Sequence, residues 1–324
     1  MRLKMGILAA IATMALVPMV QADEVSSEQL VDGLQGIFGE HAGMRRSHAK
    51  GICVKGSFTP DKDVAKWTKS ASFSKDVPVL GRFSIGGGNP KASDKSKAGR
   101  GLALRFDPDG TSTDFVMLTA PIFFAKTPEQ TLGFFKARAA GADGKPDPAK
   151  VKAFSEANPE TTKQGAWINA RPVPASYADT NYFGIHAFTL TNAEGKTQNV
   201  KFKLVPSGGE KGLTDDEAKG KSDTFLTEEI KERLGKGPAE FKLTAMLQKD
   251  GDPVNDPTVE WPEEGHEFVT LGTVSIKAEE ADATCDAGTF DPANLAEGIA
   301  ASPDDQIFPL RSGAYAVSFG RRQQ

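Results

Sequence analysis

The sequence is sparing with the residue types that most often carry chemistry: 324 residues contain four histidines, three tyrosines and two cysteines. Cys53 and Cys285 stand in neither a Cys-x-x-Cys nor a Cys/His pattern, which argues against a thiolate metal site. They allow one disulfide in an oxidising compartment or two buried thiols packed as small apolar residues; the second reading is favoured here. Positive charge is not in excess. The formal net charge is −4 and no basic cluster exists, so nucleic acid is not expected as a partner. No basic amphipathic stretch is present to hold a membrane surface. The one long apolar run, Met5 to Val20, falls short of the roughly 20 residues that a membrane span needs. Behind Arg2 and Lys4, and ahead of Val20-Gln21-Ala22, it reads as a secretory signal peptide cleaved after Ala22. The expectation is a soluble chain exported to the periplasm.

Residues 23–324 contain no clear linker and are read as a single domain, with ordinary globular composition at 39% hydrophobic and 25% charged residues. Leu30, Leu34, Ile37 and Phe38 share one helical face behind the capping candidates Ser26 and Ser27. Leu102, Leu104 and Phe106 alternate, the chain turns through Asp107 to Gly110, and Phe115 and Met117 alternate on the return, which predicts a hairpin. Helices are predicted from Thr127-Pro128, from about Pro148 to Ala157, and around Phe225, Leu226, Ile230 and Leu234. Strands are predicted over Phe183–Leu190, around Val200 to Leu204, over Phe241–Leu247 and over Phe268–Ile276. Stretches 141–150 and 206–222, rich in Gly, Lys and Asp, read as solvated loops. Hairpins with helices inserted as blocks indicate an α+β fold with an antiparallel sheet or barrel. Regular strand–helix alternation is missing, which disfavours a doubly wound nucleotide fold. The Gly86–Gly88 run is not followed by Gly-Lys-Ser/Thr and reads as a turn.

Four segments stand out beyond this pattern. Arg45-Arg46-Ser47-His48-Ala49-Lys50-Gly51 contains a histidine among cations, which alone is more often a surface residue. Gly81-Arg82-Phe83-Ser84 leads to Arg100-Gly101-Leu102-Ala103-Leu104-Arg105-Phe106. Ala120-Pro121-Ile122-Phe123-Phe124 is apolar and aromatic. Arg311-Ser312-Gly313-Ala314-Tyr315 precedes Arg321-Arg322 near the end. His-Ala-Lys-Gly with an arginine three residues upstream, then Arg-Phe-Ser, Arg-Gly-x-Ala, Pro-x-Phe-Phe and Arg-x-x-x-Tyr, resemble in this order the motifs of haem catalases. Phe290 to Asn294 and Ser302-Pro303-Asp304 resemble the family's approach to its haem-ligand helix. The resemblance runs from about residue 40 to 322, and its length is closest to the small exported catalase-related peroxidases.

The resemblance implies a catalase-type antiparallel β-barrel with inserted and flanking helices, and haem b as cofactor. It makes Tyr315 the axial ligand of the haem iron. Arg311, one helical turn earlier, would favour the phenolate that a free tyrosine, with a pKa near 10, does not supply at neutral pH. It makes His48 the proton carrier for the peroxide, with Ser84 fixing its tautomer. Arg45, Arg82 and Arg322 match the arginines that hold the haem propionates, and Phe124 would line the pocket with Phe123. Tyr177 and Tyr182 lack an arginine four residues before them. His186 is read as a structural barrel residue, and His41 and His266 as bystanders.

One departure matters. Where catalases carry Asn-Asn-Thr before Pro-x-Phe-Phe, this chain has Leu118-Thr119-Ala120. The missing amide and the apolar replacement imply a peroxidase that reduces organic peroxides, and hydrogen peroxide, with a small electron donor and has weak catalase activity. A true catalase, with Thr119 or water replacing the amide, and a non-enzymatic exported haem-binding protein are the alternatives. The sequence identifies neither the donor nor an oligomeric state, and it carries no nicotinamide-cofactor signature.

Overall fold

The computed structural model describes residues 24–107 and 109–324; the signal-peptide reading of residues 1–22 lies outside the described residues. In chain order the elements are α1 (Ser27–Phe38), β1 (Gly51–Pro60), β2 (Val77–Ile85), β3 (Arg100–Phe106), β4 (Thr113–Leu118), α2 (Pro128–Arg138), α3 (Pro148–Ala157) and α4 (Lys163–Asn169). They continue through β5 (Val173–Pro174), β6 (Tyr182–Phe183), β7 (Phe188–Thr191), β8 (Thr197–Pro206), β9 (Gly212–Leu213), α5 (Asp215–Lys219) and α6 (Phe225–Lys236). The last are β10 (Ala239–Leu247), β11 (Phe268–Glu279), α7 (Asp282–Asp286), β12 (Ile299–Ala301) and α8 (Ile307–Arg322). Among the described residues no helix is long and apolar enough to cross a membrane.

Strands β10, β11, β1, β2, β3, β4, β6 and β8 pair in that order, and β10 pairs again with β8, so this antiparallel sheet closes into an eight-stranded barrel; β7 and β12 extend it beyond β8. Alternation explains its filling. Phe83, Leu102, Leu104, Phe106, Phe115 and Met117 share the inward face and are buried. Phe58 stacks on Phe106 at 4.5 Å between ring centroids, and Phe83 on Tyr177 at 5.2 Å, so the barrel is a packed core rather than a channel. The predicted hairpin is β3–β4, with Leu104 opposite Phe115.

The helices begin where their caps put them. Ser26 and Gln29 form a capping box at α1, and Thr127 caps α2 with Pro128 in its first turn. Three expectations change. The strand expected over 183–190 is broken between β6 and β7, and His186 lies in the break. The 206–222 loop contains β9 and α5, the latter started by a Thr214/Glu217 capping box. Cys53 and Cys285 form a disulfide, with Cα atoms 5.8 Å apart, where two buried thiols were expected. The cause is local folding that no spacing reveals: the backbone N–H of Cys53 donates to Asp282 Oδ1 (3.0 Å) and that of Glu280 to Cys53 O (2.9 Å), laying α7 against β1.

Candidate functional site

The same alternation builds a second surface. With Phe83, Leu102 and Met117 turned inward, Arg82, Ser84, Gly101, Ala103, Val116 and Leu118 occupy the other face of β2–β4. They align as two cross-strand rows, Ser84–Gly101–Leu118 and Arg82–Ala103–Val116. Gly101 and Ala103 keep this wall thin. Helices α1, α2, α4 and α8 face it through Leu34, Phe134, Ile168, Leu310 and Tyr315, and a cavity of about 430 Å³ lies between. The nine residues to which the resemblance gave a role in the site, Arg45, His48, Arg82, Ser84, Phe123, Phe124, Arg311, Tyr315 and Arg322, all line it.

His48 sits in the left-handed region at φ 54°, an unfavourable conformation for a side chain of this size. Its surroundings hold it there. Arg82 donates from Nη1 to His48 O and from Nη2 to Ala49 O, both at 2.9 Å, and the Ala49 backbone N–H donates to Gly87 O at 3.1 Å. His48 Nδ1 and Ser84 Oγ are 2.9 Å apart, and the serine hydroxyl is directed at Gly101 O at 3.4 Å. That direction puts the ring proton on Nδ1 and leaves Nε2 as the acceptor. Gly101 is required by close approach: a Cβ there would lie 2.8 Å from Ser84 Oγ and 2.9 Å from the imidazole. Burial, then the charges of Arg82 and Arg311, push the His48 imidazole down to about 4, so at neutral pH it is an uncharged base.

Tyr315 enters from α8. Its Oη accepts from Arg311 Nε at 3.2 Å and from Nη2 at 2.6 Å, the one-turn pairing that the four-residue spacing predicts. Tyr177 and Tyr182 are fully buried in the barrel core, where burial pushes both phenols up. Behind Arg311 lies a pair that sequence reasoning did not find. His186 Nδ1 meets Asp305 Oδ2 at 2.6 Å, and Asp305 Oδ1 accepts from the backbone N–H groups of Ile307 (2.9 Å) and Phe308 (3.2 Å) at the start of α8. Burial pushes His186 down to about 4 against the opposing pull of Asp305, and the Arg311 charge lowers it further.

Among the described residues, five guanidinium groups line the cavity, those of Arg45, Arg46, Arg82, Arg311 and Arg322, and no carboxylate does. Among the described residues, Nε of Arg46 and Arg322 and Nη1 of Arg311 are buried without a partner. Arg82, Arg45 and Arg322 also bind backbone carbonyls, so they serve the wall as well as the space it encloses. The described residues contain no cluster of three or more His, Cys, Asp or Glu side chains able to hold a bare metal ion. One doubly hydrogen-bonded phenol oxygen and one imidazole in an apolar, arginine-rimmed cavity suit instead a metal that brings its other ligands with it in an anionic macrocycle. The residues present therefore fit haem. Leu118 lines the cavity. Thr119 does not face it: its Oγ1 accepts from the Arg100 backbone N–H at 3.0 Å.

The barrel defines a class before any residue is matched. A fungal catalase structure superposes with a TM-score of 0.78 at 23% identity, covering 98% of this chain and 66% of its own. Catalase A from Saccharomyces cerevisiae gives 0.78 at 21%, covering 98% and 68%. At these identities the likeness bears on the fold, and the chain spans about two-thirds of the length of these structures. It is a catalase-fold protein.

The sequence narrows this further. The profile of the catalase family, described as "Catalase", matches residues 23–322, and the chain belongs to that family. A catalase-related peroxidase of Synechococcus elongatus is 37% identical over 309 residues, covering 93% of this chain and 90% of the relative. Another from Mycolicibacterium paratuberculosis is 33% identical, covering 91% and 94%. Proteins of this family generally bind haem.

Proposed function

We propose that this chain is an exported haem peroxidase that reduces organic hydroperoxides, and hydrogen peroxide, with electrons from a small donor. It is an oxidoreductase acting on peroxide, as its catalase-related peroxidase relatives are named. The observation that carries the reading is the convergence, on one arginine-rimmed cavity, of an uncharged imidazole and a tyrosine oxygen held by two arginine N–H groups. Tyr315 would ligate the iron, Arg45, Arg82 and Arg322 would meet the propionates, and Phe124 would contact the macrocycle. When bound, haem supplies the iron at which the two oxidising equivalents of the peroxide are taken up.

The protein's own part is proton handling and exclusion of water. His48 Nε2 takes the proton of the bound ROOH, Nδ1 stays protonated against Ser84, and the proton is returned to the departing RO oxygen as the O–O bond breaks. Two electrons and two protons from the donor complete the reduction to ROH and water. Leu118 presents hydrocarbon where an amide would orient a second hydrogen peroxide, and Thr119 is already engaged with the backbone of Arg100. Both favour the peroxidase over a true catalase. Export is supported by the signal-like first 22 residues and by a disulfide, a bond that persists in oxidising compartments.

A His48→Ala variant tests the assignment. Donor oxidation by cumene hydroperoxide should fall by about 10²-fold or more while haem content is unchanged. Unchanged donor oxidation would remove His48 from the reaction and favour a haem carrier. Oxygen evolution from hydrogen peroxide at ordinary catalase rates would instead favour the true catalase.

A further inference from the structure

The positive cavity has a counter-charge that takes no part in the proton handling. Asp286, at the end of α7, is not among the residues lining the cavity, and its carboxylate is half-exposed. Its Oδ1 accepts from Arg45 Nη1 and lies 3.8 Å from Arg322 Nη1. The backbone around it holds the same two side chains: Cys285 O accepts from Arg45 Nη2 (2.8 Å), and Asp286 O and Gly288 O accept from Arg322 Nη2 (3.1 and 2.6 Å). The disulfide to Cys53 pins this segment to β1, where Cys53 is the cross-strand neighbour of Arg82. Burial and the Arg45 charge push Arg82 and Arg322 down to about 10, and in both cases Asp286 opposes the shift. Arg45 and Arg322 thus share one carboxylate held next to them by the disulfide-anchored segment, and Arg82, engaged with His48 O and Ala49 O, feels its charge together with that of Asp282.

We propose that Asp286 is a positioning residue that sets how tightly the arginine cluster holds an anionic prosthetic group, by cancelling part of the positive charge that the group's carboxylates would meet. The proposal rests on the haem reading above. It makes Asp286 a brake on cofactor retention: the carboxylate offsets part of the mutual repulsion of Arg45 and Arg322, and it weakens their pull on the ligand.

Asp286→Asn keeps an oxygen acceptor for Arg45 and removes the charge. The holoprotein carrying it should release haem to excess apo-globin about two- to fivefold more slowly than the parent chain, a size typical of a half-exposed charge pair. Asp286→Glu, which restores the charge, should return to the parent rate. The same comparison with iron protoporphyrin dimethyl ester, whose carboxylates are masked, should show no slowing. Equal or faster haem release from the asparagine variant overturns the proposal, and so does equal slowing with the ester, because that reports general tightening. If parent and variant both carry haem and release it alike, only the role of Asp286 fails. If neither carries haem, the functional reading fails and takes this proposal with it.

Discussion

His48 has two ring nitrogens with different tasks, and the structure separates them by what each can reach. Nδ1 is committed to Ser84, and Ser84 to Gly101, so proton exchange with a ligand is left to Nε2. Burial sets the charge: the imidazole is pushed from 6.5 to about 4. The reaction needs the neutral ring, so activity should survive acidification well below the usual histidine range. The acid limb of kcat/KM should centre near pH 4, and a limb near 6.5 would contradict the cavity described here. The same shift acts on stability. His48 and His186 are both lowered to about 4, so between pH 6.5 and 4 the unfolded chain binds protons that the folded chain does not. Stability should therefore be lost as the pH is lowered through that window, by on the order of 3 kcal/mol for each imidazole in urea titrations. Residues of this kind are unevenly legible. His48, Arg311 and Tyr315 announce themselves because each lies in a short motif with fixed spacing. The His186–Asp305 pair joins positions 119 residues apart, and nothing local marks either residue.

At the scale of elements, the legible parts are those with a period or a cap. The β3–β4 hairpin, α1, α2 and α6 follow from alternation, apolar spacing and capping residues. No such signal marks α4: it is seven residues long and has no side-chain cap, yet its Gln164 and Ile168 close the cavity. Periodicity gives β7 only as part of a longer strand, because apolar alternation continues through Gly184–Ala187 although the ladder does not. Helix α8 shows what such breaks are for. Gln306, at its start, makes no side-chain cap; Asp305 supplies the acceptor instead, while its other oxygen holds His186. Asp305→Ala should therefore remove a cap worth about 0.5–2 kcal/mol and leave a buried imidazole unpaired. Thermal unfolding should begin several degrees lower, roughly 2–4 °C per kcal/mol in a chain of this size. Because Arg311 and Tyr315 ride on the same helix, the Soret band of the holoprotein should shift as well; a lowered melting temperature with an unaltered Soret band would show that α8 keeps its seat without the cap.

For the whole molecule the question is what holds a cavity open against a closed barrel. The barrel needs no help, since its interior is filled by stacked aromatic rings and its edges pair with each other. The cavity is different. Its walls come from segments far apart in sequence, and the arginines that rim it reach into α7 and the residues after it. The disulfide joins positions 232 residues apart at that point, linking the strand that follows His48 to the segment that receives Arg45 and Arg322. Removing it should cost about 2–4 kcal/mol by freeing the unfolded chain. The loss should not be spread evenly. With Cys53 0% and Cys285 2% exposed, the native bond should resist a mild dithiol until the chain opens locally. A Cys53→Ser/Cys285→Ser pair should keep the far-ultraviolet dichroism of the barrel while α7 and residues 286–290 lose amide-exchange protection and haem release quickens. Uniform loss of protection across β1–β4 would instead mean that the bond supports the barrel itself, and that the cavity rim depends on it only as every other part of the fold does.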